Sequence, residues 1–288
     1  MTDTMVLPQM QFRLPAEPLR ALVSSYYWFD TGSFAIDDMI HPEWTNIRFT
    51  LTGRWTVQRL GGPLWAFEDA AVFGPSSRGA QVISTPHSAL LGLGLLPLGW
   101  ARLMGGPARR LADQAVPLER EWADAGALRA AVLAADGIDD WAAILDAALM
   151  RRLVEAPEPP PMLARALDVL VNGEISDVAH YAGAVGVSVR TLERLCSSWF
   201  GFGPKSLLRR QRFLRSLDVM MRMPDVPLGQ AYHPGYVDQS HFIHEFKMFM
   251  GMAPGRYLAQ PRVMMQRAAL ARQALLGQSL QGLQPPAA

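Results

Sequence analysis

One relation between residue numbers constrains this chain more than any other. Phe242 and Leu192, Phe246 and Cys196, Gly251 and Gly201, and Pro254 and Pro204 all stand 50 positions apart. Apolar residue answers apolar residue and turn residue answers turn residue, so the C-terminal third holds two copies of one structural unit. In the first copy Val178, Tyr181, Ala182 and Val185 recur at i, i+3, i+4 and i+7, the spacing of one buried helix face, with Ser176 as the expected N-cap. Gly186 then supplies a turn, Ser188 caps a second helix, and Leu192, Leu195, Cys196, Trp199 and Phe200 form that helix's apolar stripe. The pattern predicts helix, tight turn, helix, twice over, with the second helix of each unit near 188–200 and 238–250.

Burying those stripes turns the opposite faces outward. The first presents Arg190, Glu193 and Arg194, the second Gln239, Ser240, Ile243 and His244. Arginine offers paired donors to guanine, Glu accepts from cytosine and Gln suits adenine, so these faces have the chemistry of a major-groove reader. Between the copies, residues 205–223 read as one long helix that would hold two such helices about one DNA turn, ~34 Å, apart. Along it Arg209, Arg210, Arg212 and Arg215, with Lys205 and the Ser188 hydroxyl, are expected to hold phosphates.

Charge follows the same division. Residues 1–160 hold 13 Arg and no Lys against 18 acidic residues, a net −5, whereas residues 161–288 hold 14 basic against 8 acidic, a net +6. The dividing point is the proline cluster Pro157, Pro159, Pro160 and Pro161. Before it, short apolar runs such as Ser25–Phe29, Ile47–Leu51, Trp55–Leu60 and Ala89–Leu96 alternate with Gly and Pro turns, predicting a β-rich region up to about residue 116. From Leu118 the spacing becomes helical, and two helices are expected, the second capped by Asp140 and carrying Arg151 and Arg152 in its last turn. The expected fold class is α+β: a β-rich N-terminal domain over 1–156, helices included from about 118, an all-α domain over 162–265, and a C-terminal helix or tail over 266–288. The stretch Gln278–Ala288 is expected to fray, and the segment from about Pro161 onward to bind DNA on its own.

Other classes are disfavoured by what the sequence contains. Asp3 stands where a secretory leader would be basic, the longest uncharged stretch (Ser88–Ala101) is too short to span a membrane, and a single cysteine, Cys196, excludes an internal disulfide. A cytoplasmic protein that does not engage the membrane is the expectation. A metal-dependent enzyme on a closed β-barrel is the rival reading, but only His41 and His87 precede the proline cluster, without ligand spacing, and no nucleophile or phosphate-loop motif is present. No enzyme activity, metal or cofactor is therefore expected. An adaptor that kept the helical repeat and lost DNA contact remains the third reading.

The segment SVRTLERLCSSWFGFGPKSLLRRQRFLRS resembles the first recognition helix and connector of the AraC/XylS transcription regulators, and DQSHFIHEFKMFMGMAPGRYL their second-unit signature. The resemblance covers about 165–262. It implies a double helix-turn-helix that binds double-stranded DNA, with base-reading positions falling on Arg190, Glu193, Arg194, Gln239, Ser240 and His244. The chain departs from the family pattern in LGQAYHPGY, which is about one residue short, in Pro234, which should end a helix early, and in His244, where arginine is usual; the first unit is expected to carry most of the specificity. The resemblance further implies an N-terminal domain for effector binding or dimerisation. Trp28, His41, Trp44 and Arg48 are its candidate effector-pocket residues, and a small-molecule effector, RNA polymerase and a second copy of the chain stay open as partners.

Overall fold

The computed structural model describes residues 5–223 and 225–285; the leader reading of Asp3 and the last residues of the tail lie outside that range. The chain begins with β1 (Gln9–Arg13), β2 (Val23–Asp30), β3 (Ile36–Ile40), β4 (Thr45–Thr52), β5 (Trp55–Arg59), β6 (Leu64–Phe67), β7 (Ala70–Phe73), β8 (Ala80–Ser84) and β9 (Ala89–Leu95). A helix, α1 (Pro97–Leu103), intervenes before β10 (Ala115–Pro117). The strands pair antiparallel into a six-stranded sheet, β1-β2-β9-β4-β7-β10, and a four-stranded sheet, β3-β8-β5-β6. Phe12, Phe29 and Leu90 of the larger sheet meet Ile36, Trp55 and Val82 of the smaller one in the space between them. The larger sheet is covered on its other face as well, where Tyr26, Ile47, Leu91 and Leu93 pack under helices. That is why β9 is buried along its whole length and reads as an unbroken apolar run.

Two helices follow, α2 (Ala125–Leu133) and α3 (Ile138–Glu155), while Leu118–Arg120 is a single 3₁₀ turn. Asp140 does not cap α3. The position before the helix is Gly137, at φ +93°, and Asp139 and Asp140 lie in the first turn, where their charge suits the helix dipole. The remaining helices are α4 (Pro161–Asn172), α5 (Val178–Val185), α6 (Val189–Trp199), α7 (Pro204–Arg222), α8 (Leu228–Ala231), α9 (Gln239–Met250), α10 (Pro254–Ala259) and α11 (Val263–Leu276). Among the described residues no helix is long and apolar enough to cross a membrane.

The proline cluster divides the sequence but not the packing. One apolar core runs from Leu93, Trp100 and Leu145 on its N-terminal side to Leu163, Leu167, Leu192 and Phe200 beyond it. The first helical unit is thus built onto the sandwich. The second has its own core of Phe213, Phe242, Phe246 and Phe249, joined by Met39 from β3. The tail does not fray over its described length. Helix α11 lies across the sandwich edge where β1 and β3 end the two sheets, and Leu280 and Leu283 enter the second unit's core.

Candidate nucleic-acid interface

The fifty-residue relation holds in three dimensions. Helices α5 and α8 start at 178 and 228, and α6 and α9 at 189 and 239. Each second helix is capped by the residue before it: the Ser188 hydroxyl accepts from the Thr191 amide at 3.2 Å, and the Asp238 carboxylate from the His241 amide at 2.7 Å. Leu192, Cys196, Phe242 and Phe246 are fully buried, and Pro204 and Pro254 open the helices that follow. At α5 the cap is Asp177, which accepts from the His180 amide at 2.8 Å; Ser176, the expected cap, instead donates to the Asp177 carboxylate. These hydrogen bonds hold the Asp177 carboxyl below its usual range. Burial pushes the Cys196 thiol up to about 12, which makes it an inert core group.

The second unit is the irregular one. Helix α8 is a single turn, and the chain is already extended at Tyr232, two residues before Pro234. Aromatic packing replaces the missing turn: Tyr232 stacks on Phe242 with ring centroids 5.4 Å apart, and Tyr236 meets the same ring edge-on at 5.2 Å.

Arg190, Glu193 and Arg194 of α6, and Gln239, Ser240 and His244 of α9, are all exposed, while Ile243 is half-buried. They occupy the N-terminal halves of their helices. The C-terminal ends face the sandwich: Trp44 packs on Phe200 at 5.6 Å, Arg109 donates to the Ser198 hydroxyl at 3.2 Å, and the Gly79 amide donates to the Phe249 carbonyl at 2.8 Å. The structure therefore leaves the six candidate base-reading side chains open to solvent and anchors both helices from behind.

The connector arginines are placed differently from the sequence expectation. Arg210 is buried, with its guanidinium carbon 3.6 Å above the Trp44 ring and Nη1 donating to the Ser76 carbonyl at 3.3 Å, so it cannot reach a phosphate. Loss of solvation, only partly offset by the charge of Asp113, brings it down to about 9. Arg209 is half-buried and ion-paired with Glu245 at 2.6 Å. Arg212 donates to the Gly235 carbonyl at 2.6 Å, and Arg215 to the carbonyls of Val171 and Gly173 at 2.8 and 3.0 Å. These three are struts from α7 to α9, to the loop before α9 and to the end of α4. Ser188 and Lys205 are exposed.

The effector-pocket residues divide as well. His41 and Arg48 line a cavity of about 60 Å³ between the sandwich and α11. Trp28 and Trp44 do not line it. Trp28 packs on Trp141 outside the larger sheet, and Trp44 sits in the contact with Phe200 and Arg210. Inside the cavity Arg48 donates to Glu43 at 2.6 Å and to the Tyr27 hydroxyl at 3.0 Å. His41 is buried against Tyr257, 2.5 Å from its hydroxyl, and desolvation brings it down to about 3, so the imidazole is neutral. Sequence reasoning missed Tyr27, Gln281 and Arg272, which also line the space. Arg272 could not be found by periodicity, because nothing local in α11 says which distant surface it covers. Among the described residues no group of three or more His, Cys, Asp or Glu side chains could hold a metal ion.

Residues 181–260 match the family model described as a helix-turn-helix domain. Among solved structures the chain is similar to ToxT from Vibrio cholerae at 12% identity, covering 88% of this chain and 98% of that one, with a TM-score of 0.47. A structure of ToxT with an unsaturated fatty acid bound gives 13% identity, 88% and 94% coverage and a TM-score of 0.44. The AraC-like transcriptional activator CuxR gives 13% identity, 73% and 86% coverage and a TM-score of 0.31.

Proposed function

We propose that this chain, a DNA-binding transcription regulator with an AraC-type helix-turn-helix domain at residues 181–260, reads two successive major grooves on one face of a duplex with α6 and α9. One observation carries the reading: two units in fifty-residue register, both anchored at their C-terminal ends, leave exposed polar side chains on the N-terminal halves of both second helices. In this reading Arg190 and Arg194 address guanines, Glu193 a cytosine, Gln239 an adenine, and Ser240 and His244 complete the second contact. Ser188 and Lys205 take phosphates, while Arg209, Arg212 and Arg215 fix the spacing between units. The adaptor alternative gives no reason for the exposed arginine pair on α6 to accompany the struts behind it. The protein acts where the DNA is, in the cytoplasm, and without a catalytic step. The sandwich, with its acidic balance, serves effector response or self-association, and any contact with RNA polymerase follows from binding at a promoter.

Selection of duplexes from a randomised pool by the full-length chain tests this. The expected product is a site with two conserved blocks about 10 base pairs apart, the first more constrained. Absence of any enrichment at ~50 mM salt, where phosphate contacts favour binding, would overturn it.

A further inference from the structure

The fifty-residue register marks more positions than the six candidate base-reading side chains occupy. Arg190 and Arg194 of α6 answer to Ser240 and His244 of α9, but Gln239 answers to Val189, and Glu193 to Ile243. Helical rotation puts positions 189, 190, 193 and 194 within an arc of about 140°, as it does 239, 240, 243 and 244. The arc excludes the buried Leu192, Leu195 and Cys196 of α6 and their counterparts Phe242, Glu245 and Phe246 of α9. Each second helix therefore carries three polar side chains and one β-branched apolar side chain on its outer arc. Val189 is 41% exposed. Ile243 is half-buried, yet among the described residues it packs into none of the three apolar cores. A lone apolar side chain on a surface is commonplace and points to nothing by itself. These two stand where the other unit has a polar candidate reader. The major groove offers such a side chain one apolar partner, the 5-methyl group of thymine, since every other distinguishing feature of its base edges is a donor or an acceptor.

We propose that Val189 and Ile243 are specificity-determining residues, each packing against the methyl group of a thymine, one in each half of the DNA site. This rests on the groove reading proposed above. Val189 opens α6, directly after the Ser188 cap, whereas Ile243 lies one turn inside α9, directly before His244. The two thymines therefore fall at different places within their blocks, and the two halves of the DNA site are not copies of one sequence even though the two protein units are in register.

Competition binding of the full-length chain to its selected duplex tests this, with each thymine replaced in turn by deoxyuridine, which deletes the methyl and keeps every donor and acceptor. Burial of one methyl is worth about fourfold in affinity, so one uracil in each block is expected to weaken binding about two- to fivefold. Val189→Ala should lose the sensitivity in the first block and keep it in the second, and Ile243→Ala should do the reverse. Both variants should stay folded, because neither side chain joins a core and alanine favours helix. Val154→Ala, the same kind of truncation at an exposed position of α3, should keep both sensitivities. A selected site without thymine in its blocks, equal affinity for thymine and uracil throughout, or uracil effects unchanged in Val189→Ala and Ile243→Ala would overturn the proposal. Coupling in one block alone would overturn the assignment of the other residue. Indifference to uracil on a duplex that the chain still selects leaves the groove reading standing, whereas failure to select any duplex removes that reading and this proposal with it.

Discussion

Gly201 and Gly251, fifty residues apart, end α6 and α9 in the same left-handed conformation, at φ +85° and +71°, and each abuts the sandwich. A Cβ on Gly201 would come 2.7 Å from the Pro75 ring, and one on Gly251 2.8 Å from the Leu60 side chain. The repeat and the interface therefore meet at the same two atoms. Gly201→Ala should lower unfolding free energy by more than the ~1–2 kcal/mol of left-handed strain, because the rigid Pro75 ring adds a clash, whereas Gly251→Ala should stay nearer the strain alone, because the Leu60 methyl can move aside. Gly277→Ala is the internal standard: φ is +69° with open space around it, so only the strain is lost. Urea unfolding of the three variants checks the order.

Two arginines on neighbouring helices should respond in opposite ways. Arg194→Ala is expected to cost about 1–3 kcal/mol on the selected site and to relax preference at one base pair, with the fold intact. Arg210→Met should leave the selected motif and the salt dependence of binding unchanged and should not lower the melting temperature, since it replaces a buried guanidinium whose Nε and Nη2 have no hydrogen-bond partner. Selection with each variant and titration across salt concentrations separate the two.

The shared core changes what a fragment can do. Leu163, Leu167, Leu192 and Phe200 pack with residues of the sandwich side, so a fragment starting at Pro161 would expose that face to water. It is expected to aggregate or bind a hydrophobic dye strongly, and to bind DNA far less well than the whole chain. Equal affinity of fragment and full chain by anisotropy would show that the first unit folds without its partner surface.

Asp38 on β3 accepts from the Met265 amide at 3.0 Å at the start of α11 and from its neighbour Met39 at 2.7 Å. Desolvation outweighs these hydrogen bonds and raises its carboxyl from 3.8 to about 6. The folded chain thus holds this proton more tightly than the unfolded one. Its contribution to stability is full below about 3.8 and is lost as pH rises through about 6. Asp38→Asn removes the titration and keeps an acceptor, so the stability difference, wild type minus variant, should fall between pH 4 and 7. Urea titrations across that range measure it.

The double unit was legible because its determinants are local: Ser188 as a cap, glycines in the left-handed region and apolar residues at helical spacing are written into short stretches of chain. Pro234 likewise announced the shortened α8. Long-range choices were not legible. Arg209, Arg212 and Arg215 read as a phosphate-facing run, yet carbonyls and Glu245 on elements 23 to 45 residues away bind them. Arg210 belongs to Trp44, and only the fold brings those two together. The same limit explains why His41 and Arg48 were found on the cavity and Arg272 was not.

The clasp between the ends of the chain also sets an order of events in the cell. Gln284 donates to the Ser24 carbonyl at 3.4 Å across 260 residues, and α11 covers the sheet edge formed by β1 and β3. On the ribosome the sandwich emerges before α11 and keeps that edge unsealed until residues 263–285 have been translated. A stop between codons 263 and 285 would spare every candidate base-reading side chain and still leave that sheet edge uncovered, so truncated products should be recognised by chaperones and proteases through a domain translated well before the break.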